Sequence, residues 1–318
     1  MGKKDTITKR YLGQPKIFAD AFNYYMFDGK QEIRPRDLKE LDPTETAVIR
    51  KAGKLMTDQK MRDLLRLCTI RKGKNATYVL LGIEAQAQIS YIMPVKNNLY
   101  DALNYSSQVE AIRKKHREAG DLKGGAEITS GFTKKDKILP VITLCICFDK
   151  AKWAAPKSLH EMFGKVDQRL LSYINDYRLN LITPGEIKDF EKFSSELGLL
   201  MEFIENSDNK KRLRDIIEKK GEYKSVDVDT VDMINTYTNT NISKKKTRRG
   251  KIDMCTAIQG MIEDGRTEGR TEGRTEGENM MIELFKCLKP GTKEYDKALN
   301  GTPADRRRLY KKYNIASK

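Results

Sequence analysis

The run LPVITLCICF at residues 139–148 narrows the fold more than any other feature of the chain. Ten residues with almost no polar side chain cannot alternate an inward and an outward face. As a strand, the run needs cover on both sides, and two-sided cover is the mark of an inner strand in a helix-flanked sheet. Two shorter runs carry the same signature. Residues 64–70 follow Asp63, and TYVLLGIE spans residues 77–84. RKGKN at residues 71–75 separates them with a turn composition suited to a hairpin. Helical spacing appears in between and around. Ile17, Phe18, Ala21, Phe22, Tyr24, Tyr25 and Phe27 suit a buried helix ended by Asp28-Gly29. After Pro94, Val95, Leu99, Leu103, Val109 and Ile112 form a stripe. A further apolar segment covers residues 170–182, and a helical pattern runs from Ile187 to Ile204. The class is α/β.

Near Asn206 the character changes to charge runs, so the sequence divides at 1–205 and 206–318. The second part holds Lys244, Lys245, Lys246, Arg248 and Arg249 beside a polar stretch, 235–243, that reads as a flexible linker. GRTE then occurs three times in succession at residues 265–276. Helical like charges four apart repel, and each glycine costs about 1 kcal/mol in a helix. The repeat therefore reads as a spacer between two short helices. The alternative is a helix whose glycines let another helix come close. Residues 280–288 and 305–313 read as terminal helices.

Lysine and arginine number 61 against 45 acidic residues, for a formal net charge of +16. That surplus suits a polyanion such as DNA, and equally suits a merely basic soluble protein. No apolar stretch is long enough for a membrane span, and no apolar segment follows the first charged residues as a leader would require. Five scattered cysteines without paired spacing read as buried free thiols in a reducing compartment, and the expectation is a cytoplasmic protein. Cys145 and Cys147 have no second pair near them, and His116 and His160 stand apart, which argues against zinc.

Asp63 heads one predicted strand, Glu84 ends the next, and Gln86 follows two residues on, facing the same side as Glu84. A hairpin brings the two acids together. Carboxylates meeting at a strand end repel unless a cation lies between them, and hard cations such as magnesium favour oxygen ligands. Such a cation acidifies a bound water and clamps a phosphate oxygen. By spacing alone the plainer reading, acids placed where strands meet solvent, is the commoner one.

Several blocks in order resemble the Rpn recombination-promoting nucleases, also described as PD-(D/E)xK nuclease family transposases. They are FADAFNYYMFDG at 18–29, Arg62-Asp63 followed by GIEAQ at 82–86, MPVKNNLYDALNYSSQ at 93–108, PVITLCICF with Trp153, Pro156 and Leu159, and YINDYRLNL at 173–181. The resemblance covers about residues 18–204. It implies a restriction-endonuclease-like core, a central mixed sheet flanked by helices, with a helical C-terminal extension. It implies a metal-dependent DNA endonuclease that promotes recombination or transposition-like cleavage, using Mg²⁺ or Mn²⁺. It implies that Asp63 and Glu84 bind the metal, with the Ala85 carbonyl as a third ligand. Gln86 stands where the wider superfamily has lysine. A glutamine cannot act as a general base near neutral pH, so it would orient water or phosphate. Asp20 matches an acidic position that would reach the metal through water, or is a solvent-facing helix charge. Lys96 replaces the usual arginine and, with Gln108 and the 244–249 basic run, is a candidate DNA contact. Tyr100 and Trp153 match the pattern as packing residues. Homodimers are common in that superfamily. The competing functions are a non-catalytic DNA-binding accessory protein on the same fold, and a partner-binding or assembly protein in which the C-terminal helices and repeat mediate oligomerisation.

Overall fold

The computed structural model describes residues 2–41, 63–72, 75–244 and 247–315. Two helices, α1 (Lys3–Leu12) and α2 (Pro15–Phe27), precede strand β1 (Leu38–Glu40). The core continues through β2 (Leu64–Lys72), β3 (Asn75–Gln86), helix α3 (Met93–Ala119), β4 (Val141–Cys147), β5 (Asn180–Ile182) and helix α4 (Leu197–Asn206). All five strands join one mixed sheet in the order β1-β2-β3-β4-β5. β1, β2 and β3 are antiparallel neighbours, and β4 and β5 run parallel to β3. Helices flank this sheet, as the composition of its strands requires.

The three apolar runs became β2, β3 and β4. Consecutive residues Val79, Leu80 and Leu81 of β3 are buried, as are Leu144 to Cys147 of β4, so both faces of these strands are covered. Lys72 pairs with Asn75 across the hairpin, while its tip, residues 73–74, lies outside the described residues. Proline occupies the first turn of α2 and of α3, where its missing N–H costs nothing. Asp28, with φ 53°, takes the left-handed conformation that ends α2, and Gly120, with φ 62°, ends α3. One face of β4 meets Met93 of α3, Trp153, Ala155 and Leu179 in a single apolar cluster with Cys145 and Cys147. Burial pushes the Cys147 thiol up to about 11 and the Cys68 thiol up to about 12, so both stay protonated and unreactive. Cys287, in contrast, is exposed.

The apolar segment at 170–182 is not one element. Leu170, Tyr173 and Ile174 are exposed around a single helical turn, and only residues 180–182 pair in the sheet. The pattern from Ile187 begins with turns, and its helix starts at Leu197.

The chain splits into two compact units, Met1–Met254 and Cys255–Lys318. The division falls at Met254 and not at the composition change near Asn206. Residues 206–254 supply α5 (Lys210–Lys219), β6 (Val226–Asp227), α6 (Val228–Thr238) and β7 (Lys251–Ile252). Their apolar faces are used: Ile217, Tyr223, Val231, Met233 and Ile234 are all buried. The polar stretch read as a linker is fastened. Asn235 receives the Ile242 N–H at 2.9 Å and donates to the Ile242 carbonyl at 3.1 Å, and Ile242 is 2% exposed. Polar composition misled here because an asparagine side chain replaced the backbone partners of the loop.

In the second unit α7 (Met254–Cys287) runs unbroken through all three GRTE repeats, which are therefore not a spacer. α8 (Lys293–Asn300) and α9 (Pro303–Lys312) follow, α9 opened by a reciprocal Thr302–Asp305 capping box. Leu284, Leu288, Ala298 and Leu309 form their small core. No helix among the described residues is long and apolar enough to cross a membrane.

At the end of α3, His116 is held between two carboxylates. Its Nδ1 lies 2.6 Å from Asp121 and its Nε2 2.9 Å from Asp136, whose carboxylate also receives the Thr133 N–H and hydroxyl. The Asp121 bond, then the Asp136 bond, raise the imidazole above its usual 6.5. A raised histidine contributes stability that is complete below 6.5 and is lost as pH rises through the higher folded value. An NMR titration of the His116 ring should therefore give a midpoint above 6.5, and amide protection in residues 121–138 should weaken as pH passes it. A midpoint at or below 6.5 would contradict the clamp.

Candidate metal and phosphate site

β2 and β3 create the site through their register. Leu64 pairs with Ile83, so the next step outward sets Asp63 beside Glu84. The Ala85 N–H donates to Asp63 Oδ2 at 2.9 Å, which fixes the aspartate against the end of β3. The two acids are thus brought together as the strand reading expected.

Each acid meets a lysine. Lys9 of α1 lies 3.0 Å from Asp63 Oδ1. Lys96, in the first turn of α3, lies 2.6 Å from Glu84 Oε1. Gln86 shares the face of Glu84 and donates its amide both to Glu84 Oε1 at 3.1 Å and to the Ala85 carbonyl at 2.9 Å. Glu84 is 3% exposed, and its second oxygen, Oε2, is buried with no hydrogen-bond partner. Asn97, the residue after Lys96, is also fully buried, with both amide atoms unpartnered.

Burial first, and then the nearby charge of Asp63, raise the Glu84 carboxyl above its ordinary value, against the opposing pull of Lys96. Lys96 is raised as well: burial acts to lower it, but its contacts with Glu84 prevail. Tyr100 packs beneath Lys96 with its ring centroid 5.8 Å from the ammonium, and burial followed by the Glu84 charge raises its hydroxyl. It is a buried packing residue beside the site, as is Trp153 within its apolar cluster.

A hard divalent cation fits this donor set. The set comprises two carboxylates, one of them with a buried oxygen that has no donor, and one backbone carbonyl, and each carboxylate also faces a lysine. Among the described residues no group of three or more histidine, cysteine, aspartate or glutamate side chains forms a larger metal cluster.

Other predicted positions are placed elsewhere. Asp20 does not add to the acid pair. It is 1% exposed, and its two oxygens accept the N–H and hydroxyl of Ser194 and of Ser195 at 2.5–2.9 Å. Nor does Gln108 face a cleft: its amide donates to the Leu139 carbonyl at 3.1 Å and accepts the Leu139 N–H at 2.6 Å, steering the chain into β4. Lys244 pairs with Asp232 at 2.7 Å. Arg248 and Arg249 form an exposed turn into β7, and Lys245 and Lys246 lie outside the described residues. Lys9 and Asn97 carried no local sequence signal, since one lies far from Asp63 in the chain and the other looks like any polar helix residue. Comparison of the chain with family models, with curated proteins and with solved structures gave no match.

Proposed function

We propose that the chain is a divalent-metal-dependent DNA endonuclease on a restriction-endonuclease-like core, of the kind its sequence blocks resemble, serving recombination or transposition-like cleavage. The observation that carries this reading is the unpartnered Glu84 Oε2 beside Asp63 at the end of β3. A buried anionic oxygen with no donor costs several kcal/mol in a dry setting, and a cation relieves it. The net charge of +16 supports a polyanionic substrate. When bound, Mg²⁺ or Mn²⁺ supplies Lewis acidity and a water of lowered pKa.

Asp63, Glu84 and the Ala85 carbonyl hold that ion. Gln86 keeps its amide on the same face, where it orients water or a phosphate oxygen without exchanging a proton. Lys96 neutralises Glu84 while the ion is away and presents the ammonium that position 86 lacks. As a point charge it contacts a phosphate oxygen singly, where an arginine would grip two.

One observation favours a second reading, in which the fold binds DNA without cutting it. Both acids already have lysine partners, so the site can persist as a closed ion-pair group. Nicking of supercoiled plasmid separates the two. The wild type should cut only with Mg²⁺ or Mn²⁺, and Asp63→Ala and Glu84→Ala should not cut. Equal activity in all three proteins, or salt-sensitive binding with no cutting in any metal, rejects the nuclease.

A further inference from the structure

The repeat on α7 sorts its residues into lanes. In a helix, a residue four positions on is displaced by only about 40°. Each residue type therefore climbs α7 as a slowly winding stripe. Gly265, Gly269, Gly273 and Gly277 form one stripe, which Met261 continues below and Met281 above. Arg266, Arg270 and Arg274 lie about 100° to one side of it, and Glu268, Glu272 and Glu276 about 60° to the other. The threonines take the back, with their hydroxyls bonded within α7 to the carbonyl four residues earlier. The face is open: residues 265–279 are exposed, and a Cβ at any of the four glycines would meet nothing within 4 Å. Ile262 and Ile282, in line with the arginines at either end, are 44% and 54% exposed.

Such a helix lacks internal support. Within the repeat the period of four sets Arg over Arg and Glu over Glu, both repulsive. Arg274 reaches an acid at 2.9 Å only because Glu278 falls just past the repeat.

We propose that this face pairs with the same helix of a second copy, parallel and in register. Charge selects both the partner and the direction. In a parallel pair the two-fold axis runs along the helices, so the arginine stripe of each copy lies beside the glutamate stripe of the other. Arg270 of one copy then sits between Glu268 and Glu272 of its mate. In an antiparallel pair the axis crosses the helices, and arginines meet arginines. The glycines admit the close helix approach that lets these side chains reach across. The pairing is independent of the nuclease reading.

The full chain should sediment with the mass of two copies. Reversing one stripe, in R266E/R270E/R274E or in E268R/E272R/E276R, should give single-copy mass, and mixing the two variants should restore the pair. Gly269→Leu with Gly273→Leu should increase helical circular dichroism yet abolish the pair, whereas a helix with no partner would only gain. Pyrene on the exposed Cys287, in a Cys255→Ser background, should show excimer emission. An antiparallel pair would hold the two labels about 48 Å apart and show none. A single-copy wild type, a pair that survives either reversal, or a pair without excimer overturns the proposal.

Discussion

Replacing Asp20 with alanine should lower the stability of the first unit by about 2 kcal/mol, because a donor stranded in the interior costs on the order of 1–3 kcal/mol and the Ser195 N–H is buried while Ser194 is open to water. Its carboxylate accepts the Ser194 and Ser195 N–H groups and also takes both hydroxyls. The hydroxyls can turn to other partners; the two N–H groups are fixed by the backbone leading into α4. For a unit of this size the loss corresponds to roughly 5 °C in Tm. Asp20→Asn keeps one acceptor oxygen but points an NH₂ at a serine N–H, so it should fall between wild type and alanine. The measurement also separates the two roles considered for this residue. If Asp20 acts only as this cap, the variant below its Tm should bind Mn²⁺ like the wild type. A variant with unchanged Tm but lost metal response would restore it to the metal site.

Glu84→Gln should reduce plasmid nicking by roughly 10²–10⁴-fold, the scale of removing a group central to proton transfer or charge stabilisation. The amide preserves shape, so the loss reports charge and not packing. Two thermal measurements accompany it. Divalent metal should raise the Tm of the wild type, since an ion that binds only the folded state stabilises it, and should leave Glu84→Gln unmoved. Without metal the sign runs the other way. A carboxyl whose folded pKa is raised binds its proton more tightly when folded, so its contribution to stability declines as pH climbs from the ordinary glutamate value through the higher folded one. Glu84→Gln should flatten that decline. A steep, metal-insensitive profile identical in both proteins would remove Glu84 from any cation site.

The parts of the fold that were legible in the sequence share one property: their apolar residues face cover supplied within a few elements. β2, β3 and β4 announced themselves as two-sided apolar runs, α2 by its period and the Asp28-Gly29 end, and α3 by its period after Pro94. α1 gave no such signal, because in KKDTITKRYL only Thr8, Tyr11 and Leu12 are buried. β1, with the sequence LKE, owes its place to backbone pairing with β2 and to the Arg66–Glu40 contact at 3.0 Å, neither of which a local pattern records. At the candidate site, alternation along β3 placed Glu84 and Gln86 on one face, and the hairpin placed Asp63 beside them. The lysines that balance the two acids come from α1 and α3, and sequence spacing says nothing of such distant counter-charges. For the repeat, intrinsic penalties argued for a spacer, but the unbroken backbone ladder of α7 and the threonine hydroxyls bonding four residues back run through every glycine.

α1 ties together parts of the first unit that the chain order keeps furthest apart. Lys9 reaches Asp63, while Arg10 and, just beyond the helix, Gln14 reach Asp229 at the start of α6, at 2.9 and 2.8 Å. Replacing Lys9 and Arg10 with alanine therefore disturbs two places at once. It would strip Asp63 of its lysine partner and loosen α6 in the same act, so a cation would meet a more negative site in that variant.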